Sequence, residues 1–179
     1  MNTLTSPGKS RWRCEGETDM EAIVAVFSDW GIGCEGTQQV ALKADRAHFR
    51  ELTRDAAVIV GRRTLADFPG GKPLKGRHNI VITRQETEIE GAETAHSTAE
   101  ALRLAEKYPR ALVIGGASVY RQLLPWVDLV HVTKIDLAPA SDSYFENLDA
   151  SPDFRIREAG DWQEENGVKF RLITYERVK

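Results

Sequence analysis

Three groups of residues in this chain have the types and the spacing to hold a charged ligand or to move a proton. The first is Gly115–Gly116, which follows the apolar run "ALVI" and opens a segment with helical spacing. Bare backbone amides at a helix N-terminus are suited to phosphate oxygens. A tight strand-to-helix turn without a ligand accounts for the same glycines, and the pair is not a full GxGxxG motif. The glycines alone leave both interpretations open.

The second group is basic and occupies the same kind of position. The segment "GRRT", from Gly61 to Thr64, places Arg62 and Arg63 after another strand-like run and at the start of a short helix. Arg84 follows the next predicted strand. Guanidinium groups bind phosphates through forked, charge-assisted hydrogen bonds, whereas solvated surface arginines are the alternative. Basic residues after consecutive strand ends favour a site for a phosphorylated cofactor.

The third group centres on one carboxylate. Asp45, Phe49 and Leu52 are spaced i, i+4 and i+7 in "KADRAHFRELTRD", so they share one face of a predicted helix. A carboxylate on an apolar face is costly unless it is paired or protonated. A surface aspartate stabilised by the helix dipole is the alternative. The apolar neighbours favour a functional acid whose pKa is raised by burial.

Strands that alternate with helices must position these groups. The runs "EAIVAVF", "AAVIVG", "NIVITR", "ALVIGG" and "DLVHVTKID" read as strands, with helical segments between several of them. This order predicts one α/β domain with a mostly parallel sheet and helices on both faces. The tail predicts an antiparallel hairpin across Asn166–Gly167. Ligands in such sheets bind beyond the carboxyl ends of the strands, where all three groups fall.

Composition excludes several classes of protein. The 179 residues carry a formal net charge of −3, which provides no basic field for nucleic acid or an anionic membrane. Cys14, Cys34 and the four histidines lack the spacing of a metal site. Residues 1–19 are polar and have no apolar core of a signal peptide. We expect a flexible extension over 1–19, a domain over 20–179 and a cytoplasmic location.

The combined motifs resemble one enzyme family. From Met20 to the C-terminal hairpin, the chain is similar to dihydrofolate reductases in the order and spacing of "IVAVFSDWGIG", "ADRAHF", "VGRRT", "PLKGRHNIVITR", "VIGGASVYRQLLP" and "VTKID". The resemblance implies an α/β fold with a central eight-stranded sheet. It also implies a monomer that reduces 7,8-dihydrofolate with NADPH, by hydride transfer to C6 and protonation at N5, and that binds antifolate inhibitors.

The resemblance assigns substrate-binding residues. Asp45 matches the acid of the pterin pocket, and Thr133 matches the threonine that hydrogen-bonds this acid. Both are expected to be catalytic. Arg77 matches the arginine that binds the α-carboxylate of the glutamate tail. The apolar substrate pocket would comprise Ile23, Ala25, Phe49, Phe68, Leu74 and Ile114.

The resemblance also assigns cofactor-binding residues. It implies a cis peptide between Gly115 and Gly116, a tyrosine near the nicotinamide at Tyr120, and a loop over the nicotinamide that begins at Gly33. The full expected set is Ala25, Ile32, Gly33, Gly61, Arg62, Arg63, Thr64, Thr83, Arg84, Ile114, Gly115, Gly116, Ala117, Ser118, Val119 and Tyr120.

The segment before Asp45 departs from the family pattern. Gln39, Val40 and Lys43 stand where the family commonly has a Pro-Trp pair and a proline before the acid. The usual tryptophan donates a hydrogen bond to the water associated with the acid, and valine has no donor. Either Thr133 holds that water alone, or Gln38 substitutes for the tryptophan.

Two other functions are compatible with the fold. A riboflavin-pathway reductase would share the fold and NADPH but act on a ribosylated pyrimidine without a glutamate tail, so Asp45, Phe49 and Arg77 together argue against it. A dinucleotide-binding protein without catalysis is favoured only by Val40. The presence of both Asp45 and Thr133 argues against that second alternative.

Overall fold

A computed structural model describes residues 18–34 and 39–179. These ranges form eleven strands and four α-helices. The strands are β1 (Asp19–Phe27), β2 (Gly31–Gly33), β3 (Ala57–Gly61), β4 (His78–Ile82), β5 (Ala92–Ala95), β6 (Arg110–Gly115), β7 (Leu129–Ile135), β8 (Ser143–Tyr144), β9 (Phe154–Ala159), β10 (Gln163–Glu165) and β11 (Val168–Arg177). The helices are α1 (Lys43–Thr53), α2 (Arg62–Ala66), α3 (Thr98–Ala105) and α4 (Ala117–Leu123).

A central sheet organises the molecule, with strand order β10-β11-β7-β1-β6-β3-β4-β5. Neighbours from β7 to β5 run parallel, whereas β11 runs antiparallel to β7. The prediction of an eight-stranded, mostly parallel sheet is therefore confirmed, with β9 as a further strand beside β11. The carboxyl ends of β1, β3, β4, β6 and β7 share one edge, so the segments that follow these strands meet there.

Alternation along the strands divides the core between two faces of the sheet. In β1, Ala22, Val24 and Val26 pack into the cluster that includes α3 and α4 residues. Ile23 points the opposite way, into the cluster that contains Leu65 of α2 and packs against α1. Helices therefore cover both faces, as the parallel strand order requires.

The C-terminal hairpin turns at the predicted residues. Asn166 and Gly167 have φ values of 51° and 79°, and both are positive, as a two-residue type I′ turn requires. The turn joins β10 to β11. The apolar and polar alternation of "DFRIREAG" also suggests this segment as the partner of β11 across the turn. It forms β9 instead, which lies beside the second half of β11 from Ile173 onward, whereas β10 is the strand next to the turn. Two short strands therefore share one edge of β11.

The described chain starts close to the sheet. β1 begins at Asp19, and the Thr18 hydroxyl donates to the carbonyls of Ala105 and Tyr108, at 3.1 and 2.7 Å. Residues 1–17 of the expected extension lie outside the described residues, as does Cys14. Within the described residues, no helix has the length and apolar character needed to cross a membrane.

Helix α3 begins with a capping box formed by Ser97 and Glu100. The Ser97 hydroxyl accepts a hydrogen bond from the Glu100 amide at 3.1 Å. The Glu100 carboxylate reaches back to the amide of His96, one residue before the cap, at 2.8 Å. Both interactions satisfy amides near the helix start that have no partner within the helix.

Removing this cap tests its contribution to stability. Ser97→Ala should lower the free energy of unfolding by about 1 kcal/mol, since the Glu100 amide loses its acceptor. Ser97→Asp, which keeps an acceptor at the same place, should unfold at nearly the wild-type urea concentration. Equal stability of the alanine variant and the wild type in urea titrations would show that the cap contributes nothing.

Candidate active site

The start of α1 carries the acid of the candidate site to the carboxyl end of β7. The Thr133 hydroxyl donates to Asp45 Oδ1 at 2.6 Å, and Thr133 is 1% exposed. The helix is fixed just before this point by Leu42, which packs in an apolar cluster with Phe27, Ile135 and Phe170. Packing of one apolar residue therefore places the carboxylate three positions later against β7.

The half-buried position of Asp45 changes its acidity. Burial raises the pKa of Asp45 above its ordinary value, since a charged carboxylate loses hydration there. The hydrogen bond from Thr133 and the positive charges of His48 and Arg46 oppose this rise, whereas the negative charge of Glu165 adds to it. Asp45 therefore retains its proton at a higher pH than an exposed aspartate does.

Apolar side chains on the α1 side of the sheet form the surroundings of this acid. Ile23 and Ile114 belong to one buried cluster, and side chains from α1 and the loop after α2 pack against it: Phe49, Phe68 and Leu74. Five of the six apolar residues expected in the substrate pocket therefore lie together. The sixth, Ala25, is the register partner of Thr133 and packs with the neighbouring cluster around Leu42.

Arg77 lies at the opposite end of α1. Its Nε donates to the hydroxyl of Thr53 at 3.0 Å, and its two terminal nitrogens donate to the carbonyls of Lys75 and Arg50, at 2.7 and 3.2 Å. These three bonds fix the plane of the guanidinium, and each terminal nitrogen carries a second N–H. Since Asp45 and Thr53 are eight residues apart, the helix separates the acid and the arginine by about 12 Å along its axis.

The glycine pair forms a turn with a close neighbour. Gly115–Gly116 is a cis peptide, as expected, and it joins β6 to α4. A Cβ at Gly116 would lie 2.9 Å from the Thr64 hydroxyl, so a side chain would displace α2. The bare backbone at this point thus lets the ends of β3 and β6 approach each other.

The side chain of Tyr120 lies against this turn. Its hydroxyl donates to the carbonyl of Ile23 at 2.7 Å, and the residue is 8% exposed. Burial, and to a smaller extent the charge of Asp45, raises the pKa of Tyr120 far above its ordinary value. The phenol is therefore a neutral donor that links α4 to β1.

Exposed cations surround the ends of β3 and β4. Arg62, Arg63 and Arg84 are exposed, in keeping with either surface arginines or a phosphate site. Thr83, also expected in the cofactor site, is 5% exposed, and its hydroxyl oxygen accepts from the Gln85 amide at 3.1 Å. The Thr83 carbonyl lies 3.0 Å from Nδ1 of His96, so this exposed histidine also lies at the end of β4.

The other residues of the expected cofactor set lie on α4 and β2. Ser118 accepts from Gln122 at 2.8 Å within α4, and Val119 is 7% exposed and lies close to Gly61. Ala117 begins α4. In β2, the Gly33 carbonyl accepts from Asp142, and Ile32 packs against the larger core cluster.

The segment that departs from the family pattern packs against the C-terminal hairpin. Val40 contacts the cluster around Leu42 and Phe170, and Gln39 donates to the Ala140 carbonyl at 2.9 Å. The amides of Lys43 and Ala44 donate to the Glu165 carboxylate, at 2.7 and 3.1 Å. Gln38, the alternative donor expected from the sequence, lies outside the described residues.

Sequence reasoning missed a charged cluster behind α1. The Glu21 carboxylate binds Nε2 of His131 at 2.6 Å and also contacts Arg110. Burial opposes ionisation of Glu21, but these two partners hold its pKa below the ordinary value. The ring of His48 lies 6.4 Å from that of His131, so two histidines that look scattered in the sequence meet. Among the described residues, no group of three or more His, Cys, Asp or Glu is placed to hold a metal ion.

Comparisons with known proteins identify the family of the chain. The dihydrofolate reductase family model matches residues 19–177. A dihydrofolate reductase of Mycobacterium tuberculosis is 37% identical over 152 residues, which cover 82% of this chain and 90% of that protein. One of Neisseria meningitidis is 37% identical over 128 residues, covering 71% and 78%. A solved dihydrofolate reductase from Enterococcus faecalis, complexed with NADP(H) and RAB-propyl, superposes with a TM-score of 0.81 at 29% identity, covering 90% of this chain and 97% of that one. This chain therefore belongs to the dihydrofolate reductase family.

Proposed function

We propose that this protein reduces 7,8-dihydrofolate to 5,6,7,8-tetrahydrofolate with NADPH. The observation that carries the proposal is the half-buried Asp45, bonded to Thr133 and surrounded by apolar side chains, at one end of a helix whose other end orients Arg77. A ligand that spans these two groups needs hydrogen-bond donors at one end, an anion at the other and an apolar middle. Dihydrofolate has all three, in its pterin, its glutamate and its aminobenzoyl group.

The geometry supports a specific mode of substrate binding. The Asp45 carboxyl accepts hydrogen bonds from the 2-amino group and N3 of the pterin, while Thr133 holds the carboxyl in place. Phe49, Phe68 and Leu74 line the path of the aminobenzoyl group. The remaining N–H groups of Arg77 face the α-carboxylate in the forked arrangement that arginine provides.

Asp45 supports protonation of the pterin at N5. Its raised pKa keeps a larger fraction of the acid protonated near neutral pH. The carboxyl binds N3 and the 2-amino group, so the proton reaches N5 through a water molecule or a tautomer of the ring. Val40 provides no donor for such a water. Among the described residues, the Thr133 hydroxyl is bonded to Asp45, and Gln38, the other candidate for holding the water, lies outside them.

The residues at the strand ends fit a phosphorylated nicotinamide cofactor. The cis Gly115–Gly116 turn and Gly61 present backbone without side chains, and the exposed Arg62, Arg63 and Arg84 match the phosphates in charge. When bound, NADPH supplies the hydride that C6 of the pterin accepts. Ile23, Ala25 and Ile114 bring apolar surface to the same strand ends and exclude water from the reacting carbons.

The orientation of Arg77 favours folate over a ribosylated pyrimidine, because a pyrimidine of that type carries no carboxylate for the guanidinium to bind. Antifolate inhibitors that present a pterin-like ring should bind Asp45 in the same way. A monomeric state and a cytoplasmic location stay predictions.

Replacing the acid tests the proposed chemistry. Asp45→Asn keeps the size of the side chain and the acceptor for Thr133 but has no proton to give, so NADPH oxidation with dihydrofolate at pH 7 should slow by about a hundredfold or more. Binding of NADPH, followed by quenching of tryptophan fluorescence, should stay within about twofold of wild type. Turnover equal to wild type in absorbance assays at 340 nm would remove Asp45 from the mechanism.

Replacing the threonine tests the tuning of the acid. Thr133→Val removes a hydrogen bond that lowers the pKa of Asp45, so that pKa should rise. Because activity requires a proton at Asp45, the pH at which kcat/KM falls should move upward, while the loss of orientation lowers the maximal rate by about tenfold. The same substitution at Thr174, on the adjacent strand β11, serves as the control. A pH profile that coincides with that of the control would contradict this role.

Replacing the arginine tests the assignment of the glutamate site. Arg77→Lys keeps a positive charge but loses the fork, so KM for dihydrofolate should rise by about ten- to hundredfold. A dihydropterin without the glutamate tail should react equally with both enzymes, which separates loss of tail binding from general damage. Equal loss with both substrates would mean that Arg77 maintains structure alone.

A further inference from the structure

The start of α1 is capped by a residue from a distant part of the chain. Its local cap position, Leu42, is apolar and makes no side-chain hydrogen bond to the helix. Instead, the Glu165 carboxylate accepts from the Lys43 amide at 2.7 Å through one oxygen and from the Ala44 amide at 3.1 Å through the other. The residues involved are 122 and 121 positions apart in sequence. One carboxylate thus satisfies two of the amides that a helix start leaves without partners.

The C-terminal hairpin holds this carboxylate in place. Glu165 is the last residue of β10, half-buried, directly before the Asn166–Gly167 turn and opposite Val168 in register. Val168 and Phe170 of β11 pack in the same apolar cluster as Leu42 and Ala44. Apolar packing and two hydrogen bonds therefore join the hairpin to the first turn of α1.

We propose that Glu165 is a positioning residue of the active site, which fixes the first turn of α1 and thereby holds the Asp45 carboxyl against Thr133. This inference rests on the proposed role of Asp45. Asp45 follows the two bonded amides directly, so a frayed first turn would release it together with them. The buried Thr133 then faces a carboxyl whose position varies.

The charges around Asp45 add an electrostatic consequence. Arg46 and His48 on α1 favour its ionised form, as does the hydroxyl of Thr133 on β7. The charge of Asp45 in turn contributes to the raised pKa of the buried Tyr120 of α4. Glu165 is the negative charge in this set, and it raises the pKa of Asp45. It also offsets the positive end of the helix dipole, which otherwise stabilises a nearby carboxylate. Glu165 thus helps Asp45 to keep its proton.

Position 43 offers an independent perturbation of the same contact. Lys43 is the first helical residue, where proline is well tolerated because its missing amide lacks a partner within the helix. Leu42, with φ −111° and ψ 132°, already has the extended conformation that precedes proline. Lys43→Pro therefore removes one of the two donors to Glu165 and leaves the helix start otherwise intact.

The test compares Glu165→Ala and Glu165→Gln with the control Glu164→Ala, an exposed neighbour on the same strand. Two measurements need no turnover: amide hydrogen exchange at Lys43 and Ala44, and NMR titration of the 13C-labelled Asp45 carboxyl. We expect Glu165→Ala to lose protection at these amides by about fivefold or more, the factor of a typical cap. The pKa of Asp45 should fall in both Glu165 variants and stay at the wild-type value in Glu164→Ala.

Kinetics then connect the contact to the reaction. In Glu165→Ala the pH at which kcat/KM falls should move downward, and NADPH affinity should not change. In the Lys43→Pro background, Glu165→Ala should cost less protection at Ala44 than it does alone, because the carboxylate is then held by one bond instead of two. A smaller loss in this double variant shows that the two residues act through one contact.

The outcomes separate this inference from the proposed function. Unchanged exchange at Lys43 and Ala44 together with an unchanged Asp45 titration in Glu165→Ala would overturn the positioning role, whatever the enzyme's activity. A wild-type rate in Asp45→Asn would instead overturn the proposed role of the acid, and with it the functional meaning of Glu165. A Glu164→Ala variant that behaves as Glu165→Ala does would show a general effect of the hairpin and would also overturn the proposal.

Discussion

The site depends on keeping one carboxyl group, that of Asp45, out of water without leaving it unpaired. Burying a carboxylate without a partner costs so much free energy that the helix would shift or a water molecule would enter to bind it. Here the Thr133 hydroxyl on strand β7 lies 2.6 Å from Asp45 Oδ1, and the apolar cluster around Leu42 fixes the helix immediately before the acid. The first contact depends on the sheet, since the Thr133 hydroxyl has the right position only when β7 lies between β1 and β11.

Under the proposed function, helix α1 also sets the distance between the two ends of the bound substrate. One end carries the acid, and the other carries Thr53, which is completely buried and orients Arg77 from the segment before β4. A rigid helix of fixed rise keeps these two groups at a constant spacing. In the proposed complex, recognition of both ends of the substrate would therefore rest on a single element of secondary structure, and Phe49 and Phe68 would line the space between them.

Local sequence patterns predicted strands β1, β3, β4, β6, β7 and β11, and they pointed to the three groups of residues near strand ends. Apolar runs with adjacent glycines mark β3 and β6, and the spacing of Asp45 and Phe49 marks the inner face of α1. Strand β5 was not predicted, because Glu93 and Thr94 interrupt any apolar run there. The cap by Glu165 and the contact between His48 and His131 were not predicted for another reason. Each contact joins segments that lie far apart in sequence, and the residues near either partner give no indication of the other. The likeness to a known family supplied Arg77 and Thr133, whose local patterns are ordinary.

The hairpin at the end of the described chain has a consequence for how the protein is made. Strand β11 pairs with β7 through seven residues, from Phe170 to Glu176, and its turn carries the cap of α1. During synthesis, Asp45 and Thr133 therefore leave the ribosome before β11 and the carboxylate that caps α1. Until that last strand emerges, β7 has an unpaired edge with apolar residues beside it, which is the kind of surface that binds other chains. During synthesis, the interval before β11 docks is thus when this protein most needs protection from aggregation.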